Sequence, residues 1–531
     1  MRQAREDSQH SYLGRSGRVS PRGDERCRDA SCARPGVSSG RSTDEASESW
    51  SREGPNIERG GSVARSMDGQ RQQPLPAGSL PWESRGDAPR AQGGPSPSAA
   101  QPTGTAHGGG EATLLEVVLE RQNMLRALRR VERNGGAPGV DGMTVEELRP
   151  FLRTQWERIR TELREGRYRP HPVRQVEIPK PSGGVRYLGI PTVLDRLIQQ
   201  ALLQVLTPIF DPHFSAHSYG YRPGRRAHDA VRQAREYVRE GAPWVVDLDL
   251  DRFFDRVNHD MLMARVARRV QDKRVLKLLR ADLNAGVMVN GVVVETAEGT
   301  PQGGPLSPLL ANILLDELDW DLEQRGHRFV RYADDCNIYV RTQRAGERVL
   351  ASVTHWIETR LKLRVNREKS AVDRAFRRDI LGFTFLPGQA AKLRIAPQAL
   401  RKVRGTLRRF TRRSQSQRMS SRIQAVNQYL RGWIGYFALA ETPSVVDDLE
   451  EWVRRRLRLC LWRQWRRVRT RYRELRKVGI PDWEARRIAS SRHGPWHLSG
   501  RALGRHLGTA FWEQQGLESV AKQYRRLRAA W

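Results

Sequence analysis

Residues 244–251 alternate between apolar and acidic side chains, a pattern that could bring several carboxylates together. In an extended chain successive side chains point to opposite faces, so Asp247, Asp249 and Asp251 share one face and apolar residues line the other. Acidic residues are poor strand formers, so local propensity is overridden here. A solvated strand face is the ordinary explanation, and a second acidic site is needed to favour a functional one.

Such a site is the pair Asp334 and Asp335, which interrupts the apolar run of residues 329–340. Two apolar segments around a short polar centre predict a β-hairpin with both carboxylates at its tip. If the tip lies beside Asp249, carboxylates about 4 Å apart repel by roughly 4 kcal/mol at an effective dielectric of 20. Divalent cations relieve such repulsion, and hard oxygen ligands select Mg²⁺. The three aspartates therefore predict a site with two Mg²⁺ ions that carries out in-line phosphoryl transfer.

Between the two acidic segments, residues 299–308 form a Gly- and Pro-rich turn ahead of an apolar-faced helix. Gly303 and Gly304 allow the backbone to approach another group closely, and Gln302 offers both a donor and an acceptor. Taken alone, this segment is explained equally well as an ordinary turn before a helix.

Upstream, residues 176–191 predict a hairpin with a Ser-Gly-Gly turn. Its arms carry Lys180 and Arg186, cations that suit triphosphate oxygens. Solvated cations beside a turn are the alternative interpretation of this hairpin.

The elements that must position these residues form an α+β arrangement. Between about residues 160 and 390, short alternating strands mix with helical patterns, whereas beyond 395 the pattern is nearly all helical, basic and tryptophan-rich. Thr144 with Glu147 predicts a capping box at a helix start. Residues 1–111 are polar and lack a periodic apolar pattern, so we expect a disordered N-terminal extension.

The charge of the chain indicates a polyanionic partner. The 531 residues carry a formal net charge of +33, which favours nucleic acid, with an anionic membrane surface as the alternative. No run of about 18 apolar residues and no secretion signal is present, so we expect a soluble, cytoplasmic protein without a membrane partner. Four scattered cysteines fit a reducing compartment.

In this order, the segments resemble the reverse transcriptase family, and specifically proteins encoded inside bacterial group II introns. The resemblance extends from about residue 112 to near the C-terminus. Its most specific elements are Asp-Leu-Asp-Arg-Phe-Phe-Asp at 249–255, the block at 299–308, and Tyr-Ala-Asp-Asp at 332–335. Residues 218–224, 363–369 and 381–383 look like further blocks of the family.

The resemblance implies an RNA-directed DNA polymerase, which is a nucleotidyltransferase, with a right-hand fold. Residues 112–390 would form fingers and palm with an antiparallel palm sheet, and residues 391–470 an α-helical thumb or maturase domain. Residues 471–531 would form a basic, DNA-binding-like tail. No arrangement of histidines and paired cysteines follows residue 467, which predicts that this chain lacks the endonuclease of many relatives.

By that resemblance, Asp249, Asp334 and Asp335 are the catalytic aspartates that bind two Mg²⁺ ions. Asp247 and Asp251 do not match the catalytic position. Contacts to the deoxynucleoside triphosphate or the template are implied for Lys180, Arg186, Phe254 and Gln302. Among them, Phe254 matches the aromatic residue that excludes a ribose 2′-hydroxyl.

Residues 427–437 and 452–465 resemble the thumb, or maturase, region. Arginines interleaved with tryptophans can present guanidinium groups to phosphates and stack on unpaired bases. The density of arginines and the lack of nearby acids favour RNA contacts by Arg431, Arg454, Arg455 and Arg456. Three aromatic residues have the spacing of a helix core face, so packing is the favoured interpretation for Trp433, Tyr436 and Phe437.

The expected function combines DNA synthesis on an RNA template with intron splicing and mobility by target-primed reverse transcription. The expected partners are group II intron RNA, target DNA and deoxynucleoside triphosphates, with association to the bacterial nucleoid during mobility. A splicing cofactor without polymerase activity is an alternative, as is a relative of retron or diversity-generating reverse transcriptases. The complete aspartate set favours polymerisation over the first, and the maturase-like region argues against the second. The oligomeric state is open, a dimer included.

Overall fold

The structure, a computed structural model, describes residues 113–179, 184–289, 292–294, 298–300, 303–388 and 390–529. The predicted N-terminal extension, residues 1–111, lies outside these ranges, and so do Lys180 and Gln302. Within the ranges given, no helix combines the length and the apolar character that crossing a bilayer requires.

Helices and strands alternate up to residue 395, and helices follow. The helices are α1 (Leu114–Leu119), α2 (Arg121–Asn134), α3 (Val145–Arg164), α4 (Val193–Phe210), α5 (Ala227–Arg239), α6 (His259–Ala267), α7 (Lys273–Leu283), α8 (Ser307–Gln324), α9 (Gln343–Trp356), α10 (Pro397–Phe410), α11 (Met419–Phe437), α12 (Pro443–Gln464), α13 (Val468–Lys477), α14 (Asp482–Ala489), α15 (Pro495–Gly500), α16 (Ala502–His506), α17 (Thr509–Gln514) and α18 (Val520–Ala529). The strands are β1 (Val173–Pro179), β2 (Val185–Ile190), β3 (Trp244–Leu248), β4 (Val287–Val289), β5 (Val292–Val294), β6 (Arg328–Tyr332), β7 (Asp335–Val340), β8 (Ala371–Arg374), β9 (Phe383–Phe385) and β10 (Leu393–Ile395).

Helices α1 to α4 and a sheet with the order β2-β1-β4-β5 make up the N-terminal part of the fold. The start of α3 is fixed by the predicted capping box, in which the N–H of Thr144 donates to Glu147 Oε2 at 2.8 Å. Strands β1 and β2 form an antiparallel hairpin in which Ile178 pairs with Arg186. The predicted hairpin at 176–191 is therefore confirmed.

The central sheet has the order β6-β7-β3-β8, with antiparallel pairing throughout. Alternate residues of β3 enter two different hydrophobic cores: Val246 and Leu248 pack into one, and Val245 packs into the other. The sheet thus packs against a hydrophobic core on each face. The expected α+β class with an antiparallel central sheet is confirmed.

Helices α10 to α12 and α18 pack around the second core. Trp433 and Phe437 on α11 are almost fully buried, and their rings lie 5.0 Å apart. Tyr436 on the same helix donates its hydroxyl hydrogen to the carbonyl of Leu381 at 2.9 Å. These three aromatic residues pack inside the protein, as their spacing predicts.

Candidate active site

Asp249 follows directly after the central strand β3, which ends at Leu248. The backbone N–H of Asp249 donates to Ser370 Oγ at 3.0 Å, and its carbonyl accepts from the N–H of Asn366 at 2.8 Å. Bonds to a segment more than 100 residues away thus satisfy the main chain where the sheet ladder stops. They fix the position from which the Asp249 carboxylate extends.

The hairpin of β6 and β7 carries the acidic pair at its turn. Strand β6 ends at Tyr332 and β7 begins at Asp335, so Ala333 and Asp334 form the turn. Ala333 has a φ of +59°, in the left-handed region that residues other than glycine, asparagine and aspartate rarely adopt. The predicted hairpin at 329–340 is confirmed, with the carboxylates at its tip.

The antiparallel register of β3 and β7 brings the two acidic segments together. Leu248 pairs with Cys336, so Asp249, one residue further, stands opposite Asp335 where the strands end. The condition on which the phosphoryl-transfer hypothesis depends, that the strand and the hairpin tip meet, is therefore fulfilled.

The aspartates at this junction interact electrostatically. Desolvation by the surrounding protein raises the pKa of Asp335 to about 7, although part of the residue is exposed to solvent, and the charges of Asp334, Asp247 and Asp249 contribute to the increase. Burial also raises the pKa of Asp334, and the charge of Asp249 acts in the same direction. Carboxylates that raise each other's pKa lie close enough to repel, which is the condition under which a cation stabilises them.

Asp247, Asp249 and Asp335 line a cavity of about 180 Å³ at this end of the sheet. Lys369 Nζ donates to Asp249 Oδ2 at 3.0 Å, and Arg378 Nε donates to Asp247 Oδ2 at 3.0 Å. Two of the three carboxylates thus have a cationic partner from the protein.

Asp334 borders a neighbouring apolar recess, lined among others by Leu250 and Leu318, rather than the cavity that contains Asp249 and Asp335. The three predicted aspartates therefore lie at one turn, and two of them, Asp249 and Asp335, line the cavity.

The donor set of the cavity suits a hard divalent cation. Asp249 and Asp335 offer carboxylate oxygens, and Mg²⁺ is commonly bound by one or two carboxylates together with phosphate oxygens and water. Among the residues that the structure describes, no group of three or more His, Cys, Asp or Glu side chains is arranged to hold a metal ion. The pair Asp249 and Asp335 fits the ion, while the role of all three aspartates as ligands stays a prediction.

Two of the residues implied to contact the nucleotide lie near this site. Arg186 is exposed on β2, and its positive charge opposes the rise in the pKa of both Asp334 and Asp255. Phe254 is buried in a short 3₁₀ turn after Asp249, with its ring perpendicular to that of Phe253 at 5.1 Å. Lys180 and Gln302 have no described position.

Gly303 and Gly304, from the Gly-rich block, pack tightly against β2 and α4. A Cβ atom on Gly303 would collide with the carbonyl oxygen of Gly189 in β2. A Cβ atom on Gly304 would lie 2.5 Å from Gln199 Oε1 on α4. The close backbone approach expected of these two glycines is confirmed, and it ties the N-terminal sheet to the start of α8.

Sequence reasoning missed three residues that fix the site. Lys369 and Ser370 contact Asp249. Lys369 belongs to the block at 363–369, which resembles the family but to which the sequence analysis assigns no functional residue. Arg331 lies beneath the hairpin turn, where its guanidinium donates to the carbonyl of Ala333 at 2.8 Å. For Arg331 a sequence signal was available: it is a charged residue within the apolar run at 329–333, and a buried charge needs partners.

Two of the four arginines expected to contact RNA bind acidic residues of this chain. Arg431 pairs with Glu518, and Arg454 Nη1 lies 2.5 Å from Glu450 Oε1. The assumption that no acid lies near these arginines is therefore wrong. Glu450 precedes Arg454 by four residues, one turn of the same helix, whereas Glu518 is brought to Arg431 by folding.

The other two arginines make different contacts. Arg455 stacks on the Trp496 ring, with its guanidinium carbon 3.8 Å from the ring centroid. Arg456 Nε donates to Thr411 Oγ1 at 3.1 Å. Of these four arginines, Arg455 is thus the one that stacks on a half-exposed tryptophan at the surface.

Comparisons with known families agree with this geometry. Residues 178–385, which contain the three aspartates, match the family described as reverse transcriptase (RNA-dependent DNA polymerase). Residues 400–479, from α10 to α13, match the maturase-specific domain of group II introns.

The chain is also similar to individual proteins. Protein YkfC of Escherichia coli K12 is 34% identical over 299 residues, which cover 49% of this chain and 78% of YkfC. The group II intron-encoded protein LtrA of Lactococcus lactis is 38% identical over 194 residues, which cover 36% of this chain but only 31% of LtrA. Among solved structures, a partial Cas6-RT-Cas1–Cas2 complex is 28% identical over 47% of this chain and 43% of its own, with a TM-score of 0.32.

Proposed function

The chain belongs to the family of group II intron-encoded reverse transcriptases and maturases, and we propose that it synthesises DNA on an RNA template at the cavity lined by Asp249 and Asp335. The observation that carries this proposal is the β3–β7 register, which sets those two aspartates opposite each other inside the reverse transcriptase domain. Residues 112–390 would act as fingers and palm, and the helices that follow as thumb.

The catalytic centre would consist of Asp249, Asp334 and Asp335. These aspartates would hold two Mg²⁺ ions, which when bound lower the pKa of a primer 3′-hydroxyl and neutralise the triphosphate. Before an ion binds, Lys369 balances the charge of Asp249, since its ammonium group lies 3.0 Å from the carboxylate. An ion bound at Asp249 would therefore take the place of the Lys369 ammonium group at this carboxylate.

The protein's own cations and aromatic residues would orient the nucleotide. Arg186, whose charge acts on Asp334, would bind triphosphate oxygens together with Lys180. Phe254, which is fixed by Phe253 and by the bond from the Thr300 N–H to its own carbonyl, would restrict the space beside the sugar. Gln302 would support the templating base from below.

The basic helical region would bind group II intron RNA and assist splicing. The match of residues 400–479 to the maturase-specific domain supports this part of the proposal, and so does the net charge of +33. Target DNA would be the second nucleic-acid partner during mobility, which would take place at the bacterial nucleoid by target-primed reverse transcription. Residues 471–531 would contact that DNA.

Replacing Asp334 tests whether polymerisation and RNA binding are separate activities. We expect Asp334→Ala to abolish primer extension on an RNA template, since ligands for the ions are lost, while intron RNA binding measured on the same preparation stays intact. Asp260→Ala is the control, because the Asp260 side chain is 82% exposed and forms a surface ion pair with Arg280. Equal loss of both activities in Asp334→Ala would contradict the proposed division.

A further inference from the structure

Arg331 on β6 is a charged residue at the centre of the fold, with only 1% of its surface exposed. Its Nε and Nη2 donate to the two carboxylate oxygens of Asp319 on α8, at 2.7 and 2.6 Å. This bidentate pair satisfies the charges of two residues that have almost no contact with water.

The remaining donors of the same guanidinium reach three other parts of the fold. Nη1 donates to Asn312 Oδ1 at 3.0 Å and to the carbonyl of Ala333 at 2.8 Å, and Nη2 donates to Ser218 Oγ at 2.8 Å. An arginine has five N–H donors, and each of the five has an acceptor here. The side chain therefore has a single position that satisfies it.

The main chain of Arg331 extends this network to the segment before α5. Its N–H donates to the carbonyl of His217, and its carbonyl accepts from the N–H of Tyr219, both at 2.9 Å. Asn312 Nδ2 in turn donates to the carbonyl of Gly220 at 2.9 Å. Hence the outer edge of β6 is bonded to residues 217–220 along the length that leads into the acidic turn.

The Ala333 carbonyl belongs to the peptide group that precedes Asp334. With φ at +59°, Ala333 holds a conformation that an alanine rarely adopts unless its surroundings require it. The hydrogen bond from Arg331 Nη1 to the Ala333 carbonyl favours this conformation, because it fixes the orientation of the peptide plane between Ala333 and Asp334. That orientation in turn determines where Asp334 and Asp335 extend.

We infer that Arg331, held by Asp319, is a positioning residue that sets the acidic hairpin turn in its active geometry. A buried ion pair adds little net stability compared with apolar residues of equal volume, so a role in fixing geometry accounts for it better than stability does. The inference rests on the proposed polymerase function, but its structural part, the fixed turn, can be measured without activity.

The first test replaces Arg331 with Lys, which keeps the charge near Asp319 but cannot supply five donors in a fixed fork. We expect kcat for primer extension to fall by about 100-fold, the effect of an error of about 1 Å in the position of a reacting group, with little change in KM for the nucleotide. Ser218→Ala is the matched control, because it removes one acceptor of the guanidinium that does not belong to the turn. We expect a much smaller effect from it.

A second substitution separates positioning from general stability. Ala333→Gly, added to Arg331→Lys, lets the turn adopt its positive φ without support, so we expect it to restore about 10-fold in kcat. Ala391→Gly is the matched control, because Ala391 is also a buried alanine with positive φ, at +42°, in a different turn. Equal rescue by both glycines would show that only stability was lost, and would overturn the inference.

Hydrogen exchange of the backbone amides provides the readout that does not depend on catalysis. We expect Arg331→Lys to accelerate exchange in residues 332–336 and to leave α10 to α12 unchanged. If the wild type extends no primer, the proposed function fails. Hydrogen exchange then tests the positioning role of Arg331 by itself, and unchanged exchange rates at residues 332–336 in Arg331→Lys would refute it. Should Arg331→Lys fail to fold, Asn312→Ala replaces it and must show the same local acceleration. Unlike Ser218, Asn312 accepts from Nη1, the nitrogen that also bonds to the Ala333 carbonyl, and its own Nδ2 donates to the Gly220 carbonyl. Its loss leaves no buried charge unpaired.

Discussion

Gly220 lies directly against the acidic turn, and a single added methyl group there should disable the proposed catalytic centre. A Cβ atom on Gly220 would stand 2.9 Å from the carbonyl carbon of Tyr332 and 3.1 Å from Ala333 Cα, and closer still to the Ala333 nitrogen. Carbon atoms pack at about 3.5 Å or more. Each of these backbone atoms must therefore move, and the Tyr332 carbon alone must move by about 0.6 Å.

The expected loss follows from that displacement. Positional errors of about 1 Å near reacting groups cost on the order of 100-fold in rate, so we expect Gly220→Ala to reduce kcat by about 10- to 100-fold. Overpacking of this kind lowers the free energy of unfolding by about 1–3 kcal/mol. The substitution should thus leave a folded protein whose thumb and RNA-binding surface are unaffected.

Steady-state primer extension on an RNA template, with thermal unfolding and intron RNA binding on the same preparation, measures these quantities. Gly405→Ala is the control: this glycine lies within α10 and has no neighbour within 4 Å of the added Cβ. We expect that control to gain about 0.5–1 kcal/mol of stability and keep its activity. Full activity in Gly220→Ala would refute the reasoning that the close packing of Gly220 against Tyr332 and Ala333 fixes the geometry of the turn.

Two further predictions concern buried and exposed charges. Burial raises the pKa of Asp282 to about 7. Between about pH 4 and pH 7 the unfolded state therefore loses a proton that the folded state retains. As a result, the free energy of unfolding falls as pH rises through this range, by up to about 1.4 kcal/mol per pH unit. Asp282→Asn, which keeps an acceptor for Gln199 Nε2, should reduce this slope in chemical unfolding measured from pH 4 to 8 by the contribution of Asp282, and an unchanged slope would contradict the assignment. Arg455→Gln should flatten the salt dependence of RNA binding by up to about 0.9 log–log units if the arginine contacts one phosphate. Arg454→Gln should instead lower the unfolding temperature, because the buried Glu450 carboxylate loses its cationic partner. If Arg454→Gln flattened the salt dependence and Arg455→Gln lowered the unfolding temperature, the roles given to the two arginines would be wrong.

Replacing Asp249 with Asn tests whether this aspartate serves catalysis or stability. In the present arrangement Lys369 Nζ bonds to the Asp249 carboxylate, and a neutral amide removes the attraction between them. Because this pair is largely exposed on the lysine side, we expect little change in stability and a complete loss of primer extension. A large drop in the unfolding temperature would mean that the aspartate is mainly structural.

Local features of the chain were sufficient to predict the elements of the site. The period-two alternation at 244–251 depends only on the geometry of an extended chain, and it identified both the central strand and the face that carries Asp249. The apolar arms at 329–340 likewise predicted a hairpin with its carboxylates at the turn. The spacing of Trp433 and Phe437 predicted that they lie on the buried face of a helix. In each case, the relevant interactions join residues close in sequence.

Only the tertiary structure decided which distant groups meet. The register of β3 and β7 set Asp249 opposite Asp335, a pairing between residues 86 positions apart that neither segment encodes by itself. The partners of the charged side chains were equally hidden: Glu518 binds Arg431, and Lys369 binds Asp249. Such contacts depend on how whole elements pack, because a long charged side chain can reach any acid that folding brings within a few ångströms. The sequence therefore determined which groups could do chemistry, and packing determined which of them share a site.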